Sequence, residues 1–408
     1  MFLIFRPSLL LKPRRFCRYA TVTAQTSAQQ RSLNRTKYQE MVKKKPPIPE
    51  SVLVFPNRSA NAPAIVDTHT HIASTYAAYR TKYPEGRFST VHELFRGVTE
   101  GHRVEAVVDV WCEAPVRAIW RELADSAVSE DDRAQKWGGT EYYFAMGVHP
   151  HEARHYNDDV EKNILEAMAH PRCVGWGEIG LDYHYDLSPR DVQQDVFSRQ
   201  LRHAVKLGKP LTVHTREADE DTERILKAEV PSDHKVRPPS TFRDPIFDAL
   251  FLECNQIHIH CFTDTPEFAQ RLLDHFPNLY IGITGVITYS SNLNTSATIK
   301  NMIQPPSEPQ SEATSDRPPT ATGESLPSTS IPRGRLRILL ETDAPYMVPG
   351  NIYDAPSLST LKNKRLPICH TAMIPWTAEF VASVLGDGRT AEDVLLEARE
   401  NARAMYGI

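Results

Sequence analysis

Eight short apolar runs recur along this chain, and each is followed by a stretch with helical spacing. They are Ala62–His71 (APAIVDTHTH), Val104–Cys112, Glu141–Pro150, Cys173–Asp182 (CVGWGEIGLD), Lys209–Thr215, Gln256–Phe262, Leu279–Ile287 and Leu336–Asp343 (LRILLETD). Near-continuous apolar strands returned by helices belong to parallel sheets covered on both faces. Eight such units predict an α/β protein built as one (β/α)8 TIM barrel. The alternative, an open doubly wound sheet, lacks the glycine-rich phosphate loop that would follow its first strand. The fourth helix shows the pattern: Val192, Val196, Leu201 and Val205 recur near helical spacing, with Ser188 as expected N-cap, Pro189 at N1, and Gly208 and Pro210 as the stop.

The strands end in residues of one chemical kind. The first ends in His69 and His71, the third in His149 and His151, and the fourth in Glu178. The fifth ends in His214 and Arg216, the sixth in His258 and His260, and the eighth in Asp343. Successive strand residues point to opposite faces, so His69 and His71 share one face and could grip one ion. One His-x-His alone is as easily a polar strand end. Its recurrence at corresponding places on successive strands makes the case for a metal centre at the C-terminal face, where barrels of this kind carry chemistry. Four imidazoles with two carboxylates suit two divalent ions better than one, since a single catalytic zinc usually needs three protein ligands. Glu178, on a strand between those of His69 and His214, is the candidate bridge.

Two segments interrupt the barrel pattern. Residues 230–245 lengthen the connection between strands five and six. Residues 304–334 are rich in Pro, Ser, Thr and Glu and are expected to be disordered. The N-terminal region, 1–50, is a different material. It carries eight Lys and Arg before its first acidic residue, Glu40, and is rich in hydroxyl side chains. This composition predicts a mitochondrial presequence; a basic tail on a cytoplasmic or nuclear protein, or a misplaced start, is the alternative. Lys43–Asn57, punctuated by prolines, reads as a linker. Subtracting those eight from the 47 Lys and Arg leaves 39 against 51 Asp and Glu, a net charge of −12 for the rest of the chain. Such a body is a poor general binder of nucleic acid. The six cysteines are scattered without CxxC, which argues against a disulfide framework or structural zinc and for a reducing compartment. No apolar run approaches the roughly 20 residues of a membrane span.

Seven blocks in order, DTHTH, GVHPH, GEIGLDYHY, PLTVHTREA, IHCFTDTPE, LLETDAPYMVP and NARAMYGI, resemble the signatures of TatD-type metal-dependent hydrolases. These are (β/α)8 members of the amidohydrolase superfamily, usually described as deoxyribonucleases. The resemblance covers residues 62–408 apart from the two insertions. It implies that His69, His71 and Asp343 hold one ion, that His214 and His260 hold a second, that Glu178 bridges them, and that Asp343 activates the attacking water. The ions would be Zn, Mg or Mn. Two departures stand out. Asp264 replaces the glycine usual after HCF(S/T), and Met347–Trp376 replaces a short Arg-Gly…Asn-Glu-Pro segment at the mouth of the site, which puts substrate choice in question.

The expected activity is that of a 3′-5′ exonuclease-like deoxyribonuclease acting on single-stranded DNA or chain ends, with His149 and Arg216 as substrate contacts. Arg216 could equally pair with a neighbouring carboxylate. His151 reads as a loop residue, and His258 and Glu341 as packing behind the ligands. Cys261 reads as a core thiol facing away from the site. One alternative is a superfamily hydrolase of another ester or amide, against which stands the absence of a carboxylated-lysine bridge. The other is an interaction protein that binds a partner through its divergent loops, against which stands the complete ligand set.

Overall fold

The computed structural model describes residues 48–232, 256–303, 335–361 and 364–408. The basic stretch expected to direct mitochondrial targeting, most of the insertion at 230–245 and all of 304–334 lie outside the described residues.

Eight parallel strands follow one another in sheet order: β1 (Ile65–Thr70), β2 (Val104–Trp111), β3 (Glu141–Met146), β4 (Cys173–Asp182), β5 (Leu211–Arg216), β6 (Ile257–Ile259), β7 (Leu279–Ile283) and β8 (Ile338–Leu340). This is the predicted (β/α)8 barrel. β8 returns to β1 through specific bonds: Thr68 Oγ1 donates to the Leu340 carbonyl at 3.1 Å and Asp343 N to the His69 carbonyl at 2.9 Å. The buried Asp67 carboxylate accepts from Thr342 N at 3.0 Å and Thr342 Oγ1 at 2.7 Å. Closure thus sets Asp343 beside His69.

Alternation along each strand separates two cores. On β2, Val107 and Trp111 face the surrounding helices, while Ala106, Val108 and Val110 face the interior. The helix Ala391–Tyr406 adds Ala402, Met405 and Tyr406 to that inner cluster. Among the described residues no helix is long and apolar enough to cross a membrane.

Local chemistry mostly follows the sequence, with two differences. The helix Arg190–Leu207 stops at Gly208 in the left-handed conformation, as expected, but its N-cap is Pro189. Ser188 is occupied elsewhere: its hydroxyl donates to the His151 carbonyl at 2.9 Å and accepts from Arg154 N at 3.1 Å. Part of the expected linker is folded, because Leu53 and Phe55 bury; Glu50–Leu53 forms a 3-10 turn, and Phe55 stacks on His370 at 5.2 Å. The divergent Met347–Trp376 segment turns Ile352, Leu358, Leu366 and Ile368 inward, and Thr288 Oγ1 pins it by accepting from Gly350 N at 2.6 Å.

Candidate metal centre

The polar strand ends meet at the C-terminal mouth of the barrel. His69 Nε2 lies 3.3 Å from His71 Nε2, 3.5 Å from Glu178 Oε2 and 4.0 Å from Asp343 Oδ1. His71 Nε2 lies 3.4 Å from Asp343 Oδ1. On the other side, Glu178 Oε1 is 2.9 Å from His214 Nδ1, 3.4 Å from His149 Nε2 and 3.8 Å from His260 Nε2. Glu178 therefore stands between two halves, one oxygen toward each. His260 leans toward the first half: its ring stacks on His69 with centroids 3.5 Å apart and is 6.3 Å from His214. His149, expected to touch substrate, points into the cluster and forms a compact set with Glu178 and His214.

Surrounding groups fix the rings. His71 Nδ1 is 2.9 Å from the Val110 carbonyl, which leaves Nε2 directed at His69. His214 Nε2 is 3.3 Å from Asp182 Oδ2, which leaves Nδ1 directed at Glu178. His151 Nε2 holds the same Asp182 oxygen at 2.8 Å, so it is tied to the centre and not a free loop residue. Asp182 itself is clamped by buried Gln193, which accepts from Asp182 N at 2.8 Å and donates to its carbonyl at 3.1 Å. Gln200 clamps Val148 in the same way at 2.8 and 3.1 Å, which positions the loop bearing His149. The helix Arg190–Leu207 thus turns two amides inward to hold two loops.

A polar column supports His260 from inside the barrel. His260 Nδ1 lies 3.1 Å from Glu341 Oε1, His258 Nε2 lies 2.9 Å from Glu341 Oε2, and His258 Nδ1 lies 2.8 Å from the Tyr406 hydroxyl. Gly282 leaves the room, since a Cβ there would sit 2.4 Å from both Glu341 Oε1 and His258 Nε2. His258 and Glu341 are thus behind the ligands, as expected.

Charge follows this packing. Burial works against the charged form of His71, but the Asp343 carboxylate overcomes it and carries the imidazole up to about 9. His214 is likewise raised to about 9 against burial, by Asp182 and Glu178. Burial takes His69 down to about 4, with His260 adding to the effect, and takes His149 to about 4 despite Glu178. Burial pushes Glu178 upward, yet His149 and His260 hold it well below the usual carboxylate range. A cation between the facing Nε2 atoms of His69 and His71 would satisfy both. The His and carboxylate donors also fit divalent ions generally. Among the described residues, the compact sets include His69–His71–Asp343, His69–Glu178–His260 and His149–Glu178–His214.

Cys261 differs from its expected outward orientation. β6 ends at Ile259, and Cys261 takes a positive φ of 45°, so strand alternation no longer applies. Its thiol groups with His260 and Asp343 instead. Four of the six non-glycine positive-φ residues among the described residues, Glu217, Cys261, Asp343 and Met347, lie on the loops after β5, β6 and β8, as backbone strain at functional sites tends to. Arg216 lies with its guanidinium 4.9 Å over the Tyr185 ring and lines a cleft of about 680 Å³ beside the centre, with Asp219 and Asp264. Burial, and then the Asp219 charge, lift Asp264 to about 7.

Sequence reasoning missed Asp182 and Cys112. Both were detectable by alternation: Asp182 shares a face with Glu178 and Gly180, and Cys112 continues the inward series of Ala106, Val108 and Val110.

A nearly closed parallel barrel with a histidine–carboxylate cluster at its C-terminal mouth has the layout of a metal-dependent hydrolase. The chain belongs to the TatD related DNase family, whose pattern matches residues 66–305. It is 32% identical over 290 residues to the human protein named 3′-5′ RNA nuclease TATDN2, a match spanning 70% of this chain but 29% of that protein. It is 29% identical over 262 residues to the Escherichia coli 3′-5′ ssDNA/RNA exonuclease TatD, spanning 64% of this chain and 80% of the relative. A Bacillus subtilis relative, the uncharacterized metal-dependent hydrolase YabD, is 26% identical over 65% of this chain and 78% of its own length. Two solved structures share the fold. An uncharacterized amidohydrolase from Saccharomyces cerevisiae has a TM-score of 0.55 at 16% identity, covering 84% of this chain and all of its own. The TatD homolog YJJV from Escherichia coli has 0.54 at 18%, covering 84% and 98%.

Proposed function

We propose that this protein is a two-metal hydrolase that cleaves phosphodiester bonds from the 3′ end of single-stranded DNA or other free chain ends. The observation that carries this reading is the divided Glu178 carboxylate, with Oε2 toward His69 and Oε1 toward His214 and His149. One side chain could then serve two ions. His69, His71 and Asp343 would hold one ion and His214 the second; His149 completes the compact set around His214, while His260, expected to share that second ion, lies closer to His69. Imidazole favours zinc, and the carboxylates admit magnesium or manganese.

When bound, such ions polarise the scissile phosphate and lower the pKa of an attacking water towards about 7. Asp343 would accept a proton from the attacking water, from a position set by its backbone bond to His69. Arg216 offers a paired donor for a phosphate oxygen beside the centre. Tyr185 and Tyr346, 54% and 60% exposed on the loops after β4 and β8, offer ring faces on which bases stack. Arg216, together with any bound ions, would supply the local positive charge that an acidic body lacks. A site recessed in a barrel mouth suits a chain end better than the middle of a duplex.

A second reading, RNA as substrate, is favoured by the names of the human 3′-5′ RNA nuclease and the Escherichia coli 3′-5′ ssDNA/RNA exonuclease. Elemental analysis of the purified protein, with hydrolysis of end-labelled single-stranded DNA and RNA with and without chelator, tests both. Metal-bound protein that releases nucleotides only without chelator supports the proposal. No hydrolysis of either polymer in zinc, magnesium or manganese leaves the binding-scaffold alternative.

A further inference from the structure

We propose that Cys112 is a thiolate ligand of the ion on the His69–His71 side, which makes that position selective for a thiophilic metal, zinc foremost, over magnesium. This rests on the presence of the metal centre proposed above.

β2 contributes no imidazole or carboxylate to the cluster. Its inward series of Ala106, Val108 and Val110 forms the apolar lining, and the next inward position is Cys112, one layer higher, at the level of the ligands. Two backbone bonds hold that layer in place. Gly147 N donates to the Trp111 carbonyl at 3.1 Å and His149 N to the Cys112 carbonyl at 3.0 Å. The thiol is half-buried and turned to the carboxylate, with Sγ 3.7 Å from Glu178 Oε2, the oxygen facing His69. Cys112, His71 and Glu178 each offer a ligand atom within 4.8 Å of the others. Donors on one ion, at about 2.0–2.3 Å from it, cannot lie more than roughly 4.6 Å apart, so small adjustments bring all three onto a single ion. Val110 ties the pieces together: its carbonyl meets His71 Nδ1, so the strand that delivers the thiol also aims the imidazole.

Coordination exchanges the S–H bond for a metal–sulfur bond. The proton, now directed at Glu178, leaves to solvent, and no electron is transferred. A sulfur donor among nitrogen and oxygen donors shifts preference toward zinc and away from magnesium, which prefers oxygen.

The test is cobalt substitution. The full chain is stripped with chelator, reloaded with Co(II) to measured stoichiometry, and read for the near-ultraviolet sulfur-to-cobalt charge-transfer band. The wild type and Cys261→Ser are expected to show the band, and Cys112→Ser to lose it while still binding cobalt and melting cooperatively. Zinc affinity should fall in Cys112→Ser by at least the ~10–100-fold that losing a supporting group costs, with magnesium affinity unchanged. Bound cobalt with visible bands but no charge-transfer band in the wild type overturns thiolate ligation and leaves the metal centre standing. A band that survives Cys112→Ser and vanishes in Cys261→Ser overturns it too, since the sulfur is then Cys261. A wild type that binds no cobalt overturns both this and the metal-centre reading. If Cys112→Ser does not fold, Cys112→Ala and the wild-type band decide by the same criteria.

Discussion

The Tyr406 hydroxyl meets His258 Nδ1 at 2.8 Å inside the barrel. It also meets Thr212 Oγ1 at 2.8 Å, so one phenol joins the C-terminal helix to β5 and β6. Through His258 and Glu341 it supports His260. Tyr406→Phe strands two buried polar groups and is expected to cost about 1–3 kcal/mol of stability. It should also weaken metal binding. Melting and zinc titration check this; an unchanged zinc affinity would confine the column to a structural role.

Gly282→Ala should be worse than most glycine replacements on a strand. Its Cβ would meet Glu341 and His258, both fully buried, with no room to give. Overpacking of this kind costs about 1–3 kcal/mol or more. A melting temperature equal to wild type would mean that the His258–Glu341 pair can move aside freely.

Asp343→Asn retains size but removes charge and the ability to accept a proton. The variant should fold and lose at least the ~10²–10⁴-fold in turnover that a general base supplies. Arg202→Ala, which removes an exposed pair with Glu229, is the control. Cys261→Ser cannot serve as a silent control, because its thiol lies within reach of His260 and Asp343. Equal nucleotide release by wild type and Asp343→Asn in every metal would identify the activity as contamination.

Metal binding should strengthen with pH between about 6.5 and 9. In the ion-free site His71 and His214 hold protons up to about 9, whereas His69 and His149, near 4, are neutral throughout that range. Raised values stabilise the ion-free fold most below the ordinary histidine pKa of about 6.5, and that contribution is lost as pH rises to about 9. An ion must displace those protons, so affinity gains about tenfold per pH unit for each proton expelled. Zinc titrations at pH 6.5, 7.5 and 8.5 check the slope; a flat profile contradicts it.

Arg216→Ala separates substrate binding from metal binding. Loss of a charged hydrogen bond worth about 1.5–3 kcal/mol corresponds to roughly 10–100-fold in kcat/KM. Metal content should not change, because the guanidinium lies over Tyr185 and outside the compact ligand sets. A parallel loss of metal would show that Arg216 acts on the centre itself.

Alternation and helical spacing determined the barrel. All eight strands lie where apolar runs predict them, because each is a short, locally encoded element whose burial on both faces leaves a plain signature. The same reasoning placed His69, His71, Glu178, His214, His260 and Asp343 at strand ends, and the curvature of the sheet gathers them into overlapping sets at one mouth of the barrel. What tertiary structure decided was partnership. That Asp182 anchors both His151 and His214, that Gln193 and Gln200 turn inward to clamp loops, and that Tyr406 reaches His258 depend on contacts between residues far apart in the chain. Spacing along one element carries no record of them. Cys261 shows where alternation fails. The strand ends at Ile259, the backbone turns through a positive φ, and a thiol expected to face the core faces the ligands instead.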